Sequence, residues 1–98
     1  MILVTGAITA RADGFEALLE VSLEHVRRSR AEPGCISHNV HVDAENPMKL
    51  VFVERWSDMA TLQTHFAVPA SRAFVKSART HAAEPAEMQI YQASEVKG

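Results

Sequence analysis

The sequence predicts an α+β fold of the ferredoxin-like class, with the element order β-α-β-β-α-β. Stretches of Ile, Val and Thr with strand-like alternation occur near both ends and in the middle of the chain, and two segments with helical spacing separate them. In this order, two right-handed crossover helices lie on one face of an antiparallel sheet. With 98 residues, 47% of them apolar, the chain is expected to form a single domain over residues 1–98.

The first half of the chain predicts a strand, a helix and a second strand. Residues 2–10 are rich in β-branched residues and predict the first strand. Asp13 and Glu16 resemble a capping box, and apolar residues then recur at helical spacing until Pro33 and Gly34 end the helix. Residues 35–43 alternate as a second strand. One face is predicted to carry Ile36, His38, Val40 and Val42, and the other Ser37, Asn39, His41 and Asp43.

The second half predicts a hairpin, a broken helix and a last strand. Residues 44–47 form a turn, and residues 48–56 form an apolar third strand that pairs with the second. Ser57 or Asp58 can cap the next helix, whose inner stripe is Met59, Leu62 and Phe66. The helix breaks at Val68 and Pro69, continues through Phe74, Val75 and Ala78, and ends near residues 81–85. Residues 88–96 predict the fourth strand, with Met88 and Ile90 facing opposite to Gln89 and Tyr91.

The third strand is apolar on both faces, which predicts a partner subunit. Leu50 and Phe52 lie on one face, and Val51 and Val53 on the other. Two crossover helices cover only one face of the sheet, and an exposed apolar face of that size is unusual on a monomer. We therefore expect a homodimer that packs sheet to sheet.

Composition excludes several classes of partner. Ten basic and twelve acidic residues give a net charge of −2, so no nucleic acid or anionic membrane is expected as a partner. The first ten residues are apolar but short and have no preceding basic region, which indicates a strand rather than a signal peptide. Cys35 is the only cysteine and forms no disulfide within the chain, which fits a reducing cytoplasm. A cytoplasmic protein with a small ligand is expected.

Known cofactor and nucleophile motifs are absent. The sequence contains no GxGxxG, GxxxxGK[ST], GxSxG or HExxH motif and no CxxC pair. His38 and His41 resemble a metal-binding pair, but residues three apart on a strand point to opposite faces. We therefore predict no metal and no cofactor.

The candidate site consists of polar side chains on otherwise apolar elements. Glu54 and Trp56 share one face of the third strand, and His65 flanks the apolar stripe of the next helix. With an unperturbed pKa of about 6.5, an imidazole there could accept a proton from a phenol or enol. His65 and Glu54 are the candidate catalytic residues. The candidate substrate-binding residues are Trp56, Asn39, His38, Phe66, Arg72 and Tyr91.

Each candidate also has a purely structural interpretation. Trp56 could be a core aromatic instead of a surface that stacks on a ligand. Glu54 could form a salt bridge with Arg72, and His65 could be a half-exposed helical residue with no role in catalysis or binding. Asn39 and Tyr91 would serve as hydrogen-bonding wall residues, although a strand tyrosine often satisfies its hydroxyl elsewhere.

Several short motifs resemble the antibiotic biosynthesis monooxygenase family and its quinol monooxygenase-like members. They are Glu32-Pro33-Gly34-Cys35, Glu54-Arg55-Trp56, the run from Leu62 to Phe66, and Pro69 followed by Ala73-Phe74. The resemblance implies a dimeric α+β barrel with a pocket between the sheet and helices of each subunit. It also implies oxidation of quinols or phenols by dioxygen without metal or flavin, and pocket positions at Glu54, Trp56 and His65.

The chain departs from the family pattern at a few positions. Ala70 follows the helix-breaking proline where a second histidine is frequent, and His38 stands where Tyr or Phe is usual. The haem-degrading branch relies on an Asn in the first strand and on a haem-binding His in the second helical piece. This chain has Gly6 and the Phe74-Val75 region at the corresponding places, which argues against haem degradation. The leading hypothesis is a cofactor-independent monooxygenase acting on a small hydroxylated aromatic. The alternatives are a non-catalytic dimer that binds a small molecule and a proton-transfer isomerase of the same fold.

Overall fold

The computed structural model describes residues 1–98 and has the predicted element order, with the second crossover helix divided in two. The elements are β1 (Ile2–Thr9), α1 (Phe15–Ser29), β2 (Cys35–Asp43), β3 (Asn46–Trp56), α2 (Met59–Ala67), α3 (Pro69–His81) and β4 (Glu87–Gln92). The four strands form one antiparallel sheet in the order β2-β3-β1-β4, in which β1 pairs with both β3 and β4. This is the ferredoxin-like arrangement, so the predicted fold class is confirmed.

The helix ends follow local capping chemistry, with one exception. The Asp58 carboxylate accepts a 2.8 Å hydrogen bond from the Thr61 backbone N–H and caps α2, as predicted. Pro69 occupies the first turn of α3. Backbone N–H groups in the first turn have no acceptor within the helix, so the proline costs the helix no hydrogen bond. The predicted capping box at the start of α1 does not form. Gly14 is the N-cap residue there, and Asp13 instead lies 3.6 Å from the Arg11 guanidinium at the surface.

The core lies between the helices and one face of the sheet, in two clusters. The larger cluster packs alternate residues of β1 and β3 against both long helices and contains Ile8, Ala10, Leu18, Val26, Leu50, Phe52 and Ala78. The smaller cluster contains Ile2, Val4, Trp56 and Leu62. Alternation along β3 therefore points Glu54, which lies between Phe52 and Trp56, toward the helices as well.

A β-bulge near the start of β2 changes the predicted faces of that strand. Cys35 pairs with Trp56 and Ser37 pairs with Arg55, so Ile36 has no partner on β3. Cys35 then packs against the smaller core cluster, whereas Ile36 is half exposed. The prediction that Ile36 shares a face with His38 was wrong, because simple alternation does not include the extra residue.

Strand β4 is shorter than predicted and lies at the edge of the sheet. Its strand pairing with β1 runs to Ile2 and Gln92, and beyond it only Met1 and Ala93 exchange backbone hydrogen bonds, each 2.9 Å long. The predicted strand over residues 88–96 was therefore too long. Tyr91 pairs with Leu3, which places Tyr91 on the face of the sheet opposite to the helices. None of the three helices is both long enough and apolar enough to cross a membrane.

Gly34 occupies the tight connection between α1 and β2. Its backbone has φ of +83°, and a Cβ at this position would overlap with the side chain of Thr61 on α2. A glycine adopts this left-handed conformation without steric cost. The turn therefore depends on the absence of a side chain, and it fixes how α1, β2 and α2 meet.

We expect Gly34→Ala to lower the free energy of unfolding by roughly 2–4 kcal/mol, because left-handed strain adds to overpacking against Thr61. Urea unfolding monitored by circular dichroism measures this change. Gly6→Ala is the control: its Cβ would meet only the Glu87 carbonyl oxygen at 3.2 Å, so a smaller loss is expected. Equal losses in the two variants would contradict this account of the turn.

Candidate active site

A cavity of about 850 Å³ lies between the sheet, α3 and the segment leading into β4. Its apolar lining includes Phe52, Phe66 and Phe74, and its polar lining includes side chains from α1, β2, β3 and α2. The cavity is large enough for a small organic molecule. The histidines and Glu54 of this lining gather where the four elements meet, which we call the polar end, and charged residues of α3 and of the segment leading into β4 line other parts of the cavity.

Three buried histidines form the centre of this polar end. They are His25 on α1, His38 on β2 and His65 on α2, and each is less than a tenth exposed. Their ring centroids are 5.2, 5.3 and 5.5 Å apart. His25 belongs to the buried stripe of α1, His38 pairs across the strands with Glu54, and His65 lies one helical turn after Leu62. The fold therefore brings three distant segments to one point.

A carboxylate orients His65. Its Nδ1 lies 3.1 Å from both oxygens of Glu32, and Arg28 donates a 2.9 Å hydrogen bond to the same carboxylate. Because a carboxylate only accepts, Nδ1 carries the proton and donates it, which leaves a lone pair on Nε2. Nε2 lies 4.0 Å from Oε1 of Glu54. The pair thus holds one imidazole in a single tautomer at the edge of the cavity.

Glu54 is a buried carboxylate with two close neighbours. Its Oε1 accepts a 3.0 Å hydrogen bond from the indole N–H of Trp56 and lies 3.2 Å from Nε2 of His38. Nε2 of His38 lies within hydrogen-bonding distance of Oε1, although the contact is poorly aligned, and Nδ1 of His38 has no hydrogen-bond partner. Burial alone raises the pKa of Glu54, but His38, Trp56 and His65 outweigh it and leave the pKa below its usual value.

His25 is held neutral. Its ring stacks on Phe74 with centroids 4.0 Å apart, and its Nδ1 accepts a 3.0 Å hydrogen bond from the Arg28 guanidinium. Burial is the main cause that lowers the pKa of His25 to about 3, and electrostatic repulsion of a second proton by the neighbouring His38, His65 and Arg28 side chains lowers it further.

His65 is also uncharged at neutral pH. Burial lowers its pKa, and Glu32 and Glu54 offset part of that effect. A neutral imidazole with a fixed tautomer can accept a proton at Nε2. The site therefore contains a candidate general base beside an apolar cavity.

The structure brings together five of the predicted site residues. The cavity lining includes His38, Glu54, His65, Phe66 and Arg72. Arg72 does not form the alternative salt bridge with Glu54 that the sequence left open, because Glu54 instead contacts Trp56 and His38.

Three predicted substrate-binding residues lie elsewhere. Trp56 is fully buried in the smaller core cluster, with its ring 4.6 Å from that of His65, so it has no free surface on which a ligand could stack. Asn39 pairs with Val53, on the face of the sheet away from the helices, and accepts a hydrogen bond from Arg30. Tyr91 lies on that same outer face. None of the three lines the cavity.

Two residues of the site were missed from the sequence. His25 was not considered, although a polar residue inside the buried stripe of an amphipathic helix is a signal that could have identified it. Glu32 was noted only as part of a motif, because its contact with His65 joins residues 33 positions apart. His38 and His41 do lie on opposite faces, as predicted.

Comparison with known proteins agrees with the fold. The sequence pattern described as antibiotic biosynthesis monooxygenase matches residues 1–77. The uncharacterised protein sll1783 of Synechocystis sp. is 34% identical over 96 residues, which are 98% of this chain. The chain spans 65% of the length of that relative.

Solved structures of other proteins have the same fold. The crystal structure of an antibiotic biosynthesis monooxygenase has a TM-score of 0.89 at 25% identity, covering 97% of this chain and 100% of that one. Rv0793 from Mycobacterium tuberculosis has a TM-score of 0.91 at 21% identity, covering 99% of this chain and 98% of that one. At this identity the similarity shows the fold alone.

The fold and the cavity define a small ferredoxin-like protein with a buried polar site between its sheet and its helices. With a family pattern that extends over residues 1–77, the chain belongs to the antibiotic biosynthesis monooxygenase family.

The low pKa of His25 predicts that the free energy of unfolding, measured in a buffer that contains a chelator, falls at acid pH. Below about pH 6.5 the unfolded chain binds a proton at this residue and the folded chain does not, so stability falls as the pH falls toward about 3. This group contributes up to about 1.4 kcal/mol per pH unit in that range. Urea unfolding at several pH values measures the slope. His25→Gln, which keeps an acceptor for Arg28, should have a shallower slope; an unchanged slope would contradict the assignment.

Proposed function

We propose that the chain is a cofactor-independent monooxygenase that oxidises a small hydroxylated aromatic, a quinol or phenol, with dioxygen. The observation that supports this most strongly is the Glu32–His65 pair at the edge of an apolar cavity. It supplies a neutral base whose accepting nitrogen is fixed by a partly buried carboxylate. Family membership supports oxygenase chemistry in general.

The proposed reaction begins with proton transfer to Nε2 of His65. Removing a proton from an electron-rich aromatic gives an anion that can reduce dioxygen directly, so the substrate supplies the electrons. For a substrate with a CH₂ group in its reactive tautomer, dioxygen adds to that carbon. One oxygen atom remains as a carbonyl, and the other leaves as water with the two hydrogens. The imidazolium formed in the first step is stabilised by Glu32 and Glu54, the carboxylates nearest to its two nitrogens.

The cavity suits an aromatic substrate. Phe52, Phe66 and Phe74 provide an apolar lining, and only one end of the cavity carries the histidine cluster. This arrangement favours a planar, mostly apolar ligand whose polar group faces His65. Arg72 also lines the cavity and can donate hydrogen bonds to a further substrate oxygen.

The proposed working form is a cytoplasmic homodimer that packs sheet to sheet. The outer face of the sheet carries Val51, Val53 and Tyr91, and no element of this chain covers it. Tyr91 is about half exposed in the single chain. Burial of this face against a second copy would remove an exposed apolar patch from water.

Oxygen uptake by chelator-treated protein tests the proposal. With a panel of quinols and anthrone-like phenols, uptake should exceed the autoxidation rate for at least one substrate. His65→Gln should lower kcat by about 10²–10⁴-fold, the usual contribution of a positioned base. His81→Gln changes a histidine at the end of α3 that does not line the cavity and should leave the rate unchanged.

Glu32→Gln distinguishes a base from a merely buried histidine. This variant keeps an acceptor oxygen but removes the charge, and Glu32 does not line the cavity. We expect kcat to fall at least about tenfold with KM unchanged, because the carboxylate orients the imidazole and stabilises its charged form. Full activity in the folded His65→Gln variant would contradict the proposed role of His65. An absence of uptake with every substrate would favour a proton-transfer isomerase or a non-catalytic binding protein.

A further inference from the structure

The spacing of the three buried histidines matches that of imidazoles around one metal ion. At a metal–nitrogen distance of about 2.1 Å, with the ring centre about 1.1 Å further out, three imidazoles on a tetrahedral ion have centroids roughly 5.2 Å apart. The centroids of His25, His38 and His65 are 5.2–5.5 Å apart. One ligand nitrogen from each ring lies within 4.8 Å of the others, and an ion between them would draw these nitrogens toward the roughly 3.4 Å separation of a tetrahedral site.

A carboxylate lies beside two of the three imidazoles. Oε1 of Glu54 is 3.2 Å from Nε2 of His38 and 4.0 Å from Nε2 of His65, close to the separation of two ligands on one ion. The second carboxylate, Glu32, accepts from Nδ1 of His65. This is the hydrogen bond by which proteins commonly orient a metal-binding imidazole.

His38 gives an independent indication of a ligand. It is 1% exposed, its Nδ1 has no hydrogen-bond partner within the protein, and its Nε2 has only the poorly aligned contact with Glu54. Buried polar atoms nearly always have a hydrogen-bond partner or a ligand. The incomplete partners of His38, which lies beside two other imidazoles and a carboxylate, therefore indicate that a ligand binds between them. A proton satisfies only one such nitrogen at a time, whereas a metal ion satisfies all three rings together.

We infer that His25, His38 and His65 bind one divalent first-row transition-metal ion, of the class that neutral imidazole prefers, such as Zn²⁺ or Co²⁺, with the Glu54 carboxylate beside it. Arg28 already contacts Nδ1 of His25, so His25 binds through Nε2. The negative charges of Glu54 and Glu32 favour the cation, and Arg28 opposes it. The sequence-based prediction of no metal rested on His38 and His41 and did not include this cluster.

Metal binding stands apart from the proposed oxygenase activity. An ion at the cluster uses the same Nε2 of His65 that the proposed base needs, so the metal-bound form is inactive as a cofactor-free oxygenase. Binding itself is measured without any substrate. A failure of the metal inference and a failure of the proposed function are therefore distinguishable.

Titration of chelator-stripped protein with Co²⁺ and Zn²⁺ tests the inference. Calorimetry should give one ion per chain, and Co²⁺ should develop the intense d–d absorption of a four-coordinate site. His38→Gln should weaken binding at least about tenfold, whereas His41→Gln, the same change three residues further along the same strand, should leave it unchanged. Equal binding by these two variants would overturn the assignment, and so would the absence of stoichiometric binding.

A measurement on the unmodified chain covers the case in which His38→Gln fails to fold. The sequence contains five histidines, and two of them, His41 and His81, lie outside the cluster. In ¹H–¹⁵N spectra of the imidazole rings, Zn²⁺ should shift the nitrogens of His25, His38 and His65 and leave the other two in place. Shifts confined to His41 or His81 would show that the ion binds at the surface and would overturn the inference.

Discussion

The hydrogen bond between Glu32 and His65 is the interaction on which the candidate site depends. Burying a carboxylate and an imidazole is unfavourable unless each finds a partner, and here each is the partner of the other. Arg28 holds the carboxylate from the other side. Because Glu32 follows α1 and His65 lies on α2, this contact also ties the two crossover helices together at the polar end of the cavity. Loss of either partner leaves a buried polar group unsatisfied.

Local backbone geometry puts these groups in place. Gly34 turns the chain immediately after Glu32, and its left-handed conformation lets α2 approach closely. The bulge at Ile36 then rotates β2 so that Cys35 and His38 both face the helices, opposite Trp56 and Glu54. Without the bulge, Cys35 and His38 would lie on different faces, since residues three apart alternate. A few residues of irregular backbone therefore determine which side chains reach the cavity.

The fold was predictable from the sequence because it depends on local periodicity. Alternation in β3 and helical spacing in α1 and α2 are strong signals, and they gave the element order correctly. The faces were less predictable. Alternation assigned Ile36 to the wrong face because a bulge has no sequence signature of its own, and position alone did not show that Tyr91 and Asn39 face away from the cavity. The burial of Trp56 also depends on packing between elements that no local pattern describes.

The site was harder to predict because it forms from contacts between distant segments. His65 and Glu54 were found because each is a polar residue on an otherwise apolar element. His25 was hidden within a helix whose other features were ordinary, and Glu32 appeared to be only part of a turn. Burial then gives the cluster its chemistry, because it keeps His25 and His65 uncharged at neutral pH. Such an environment exists only once α1, β2, β3 and α2 have packed together.

The most direct measurement is the tautomeric state of His65, read from its imidazole ¹⁵N chemical shifts at neutral pH in chelator-treated protein. The account predicts a proton on Nδ1, donated to Glu32, and an unprotonated Nε2 facing the cluster. A ring protonated at Nε2, or at both nitrogens, would contradict it, because neither form offers a lone pair on Nε2, which both proton transfer and metal binding require.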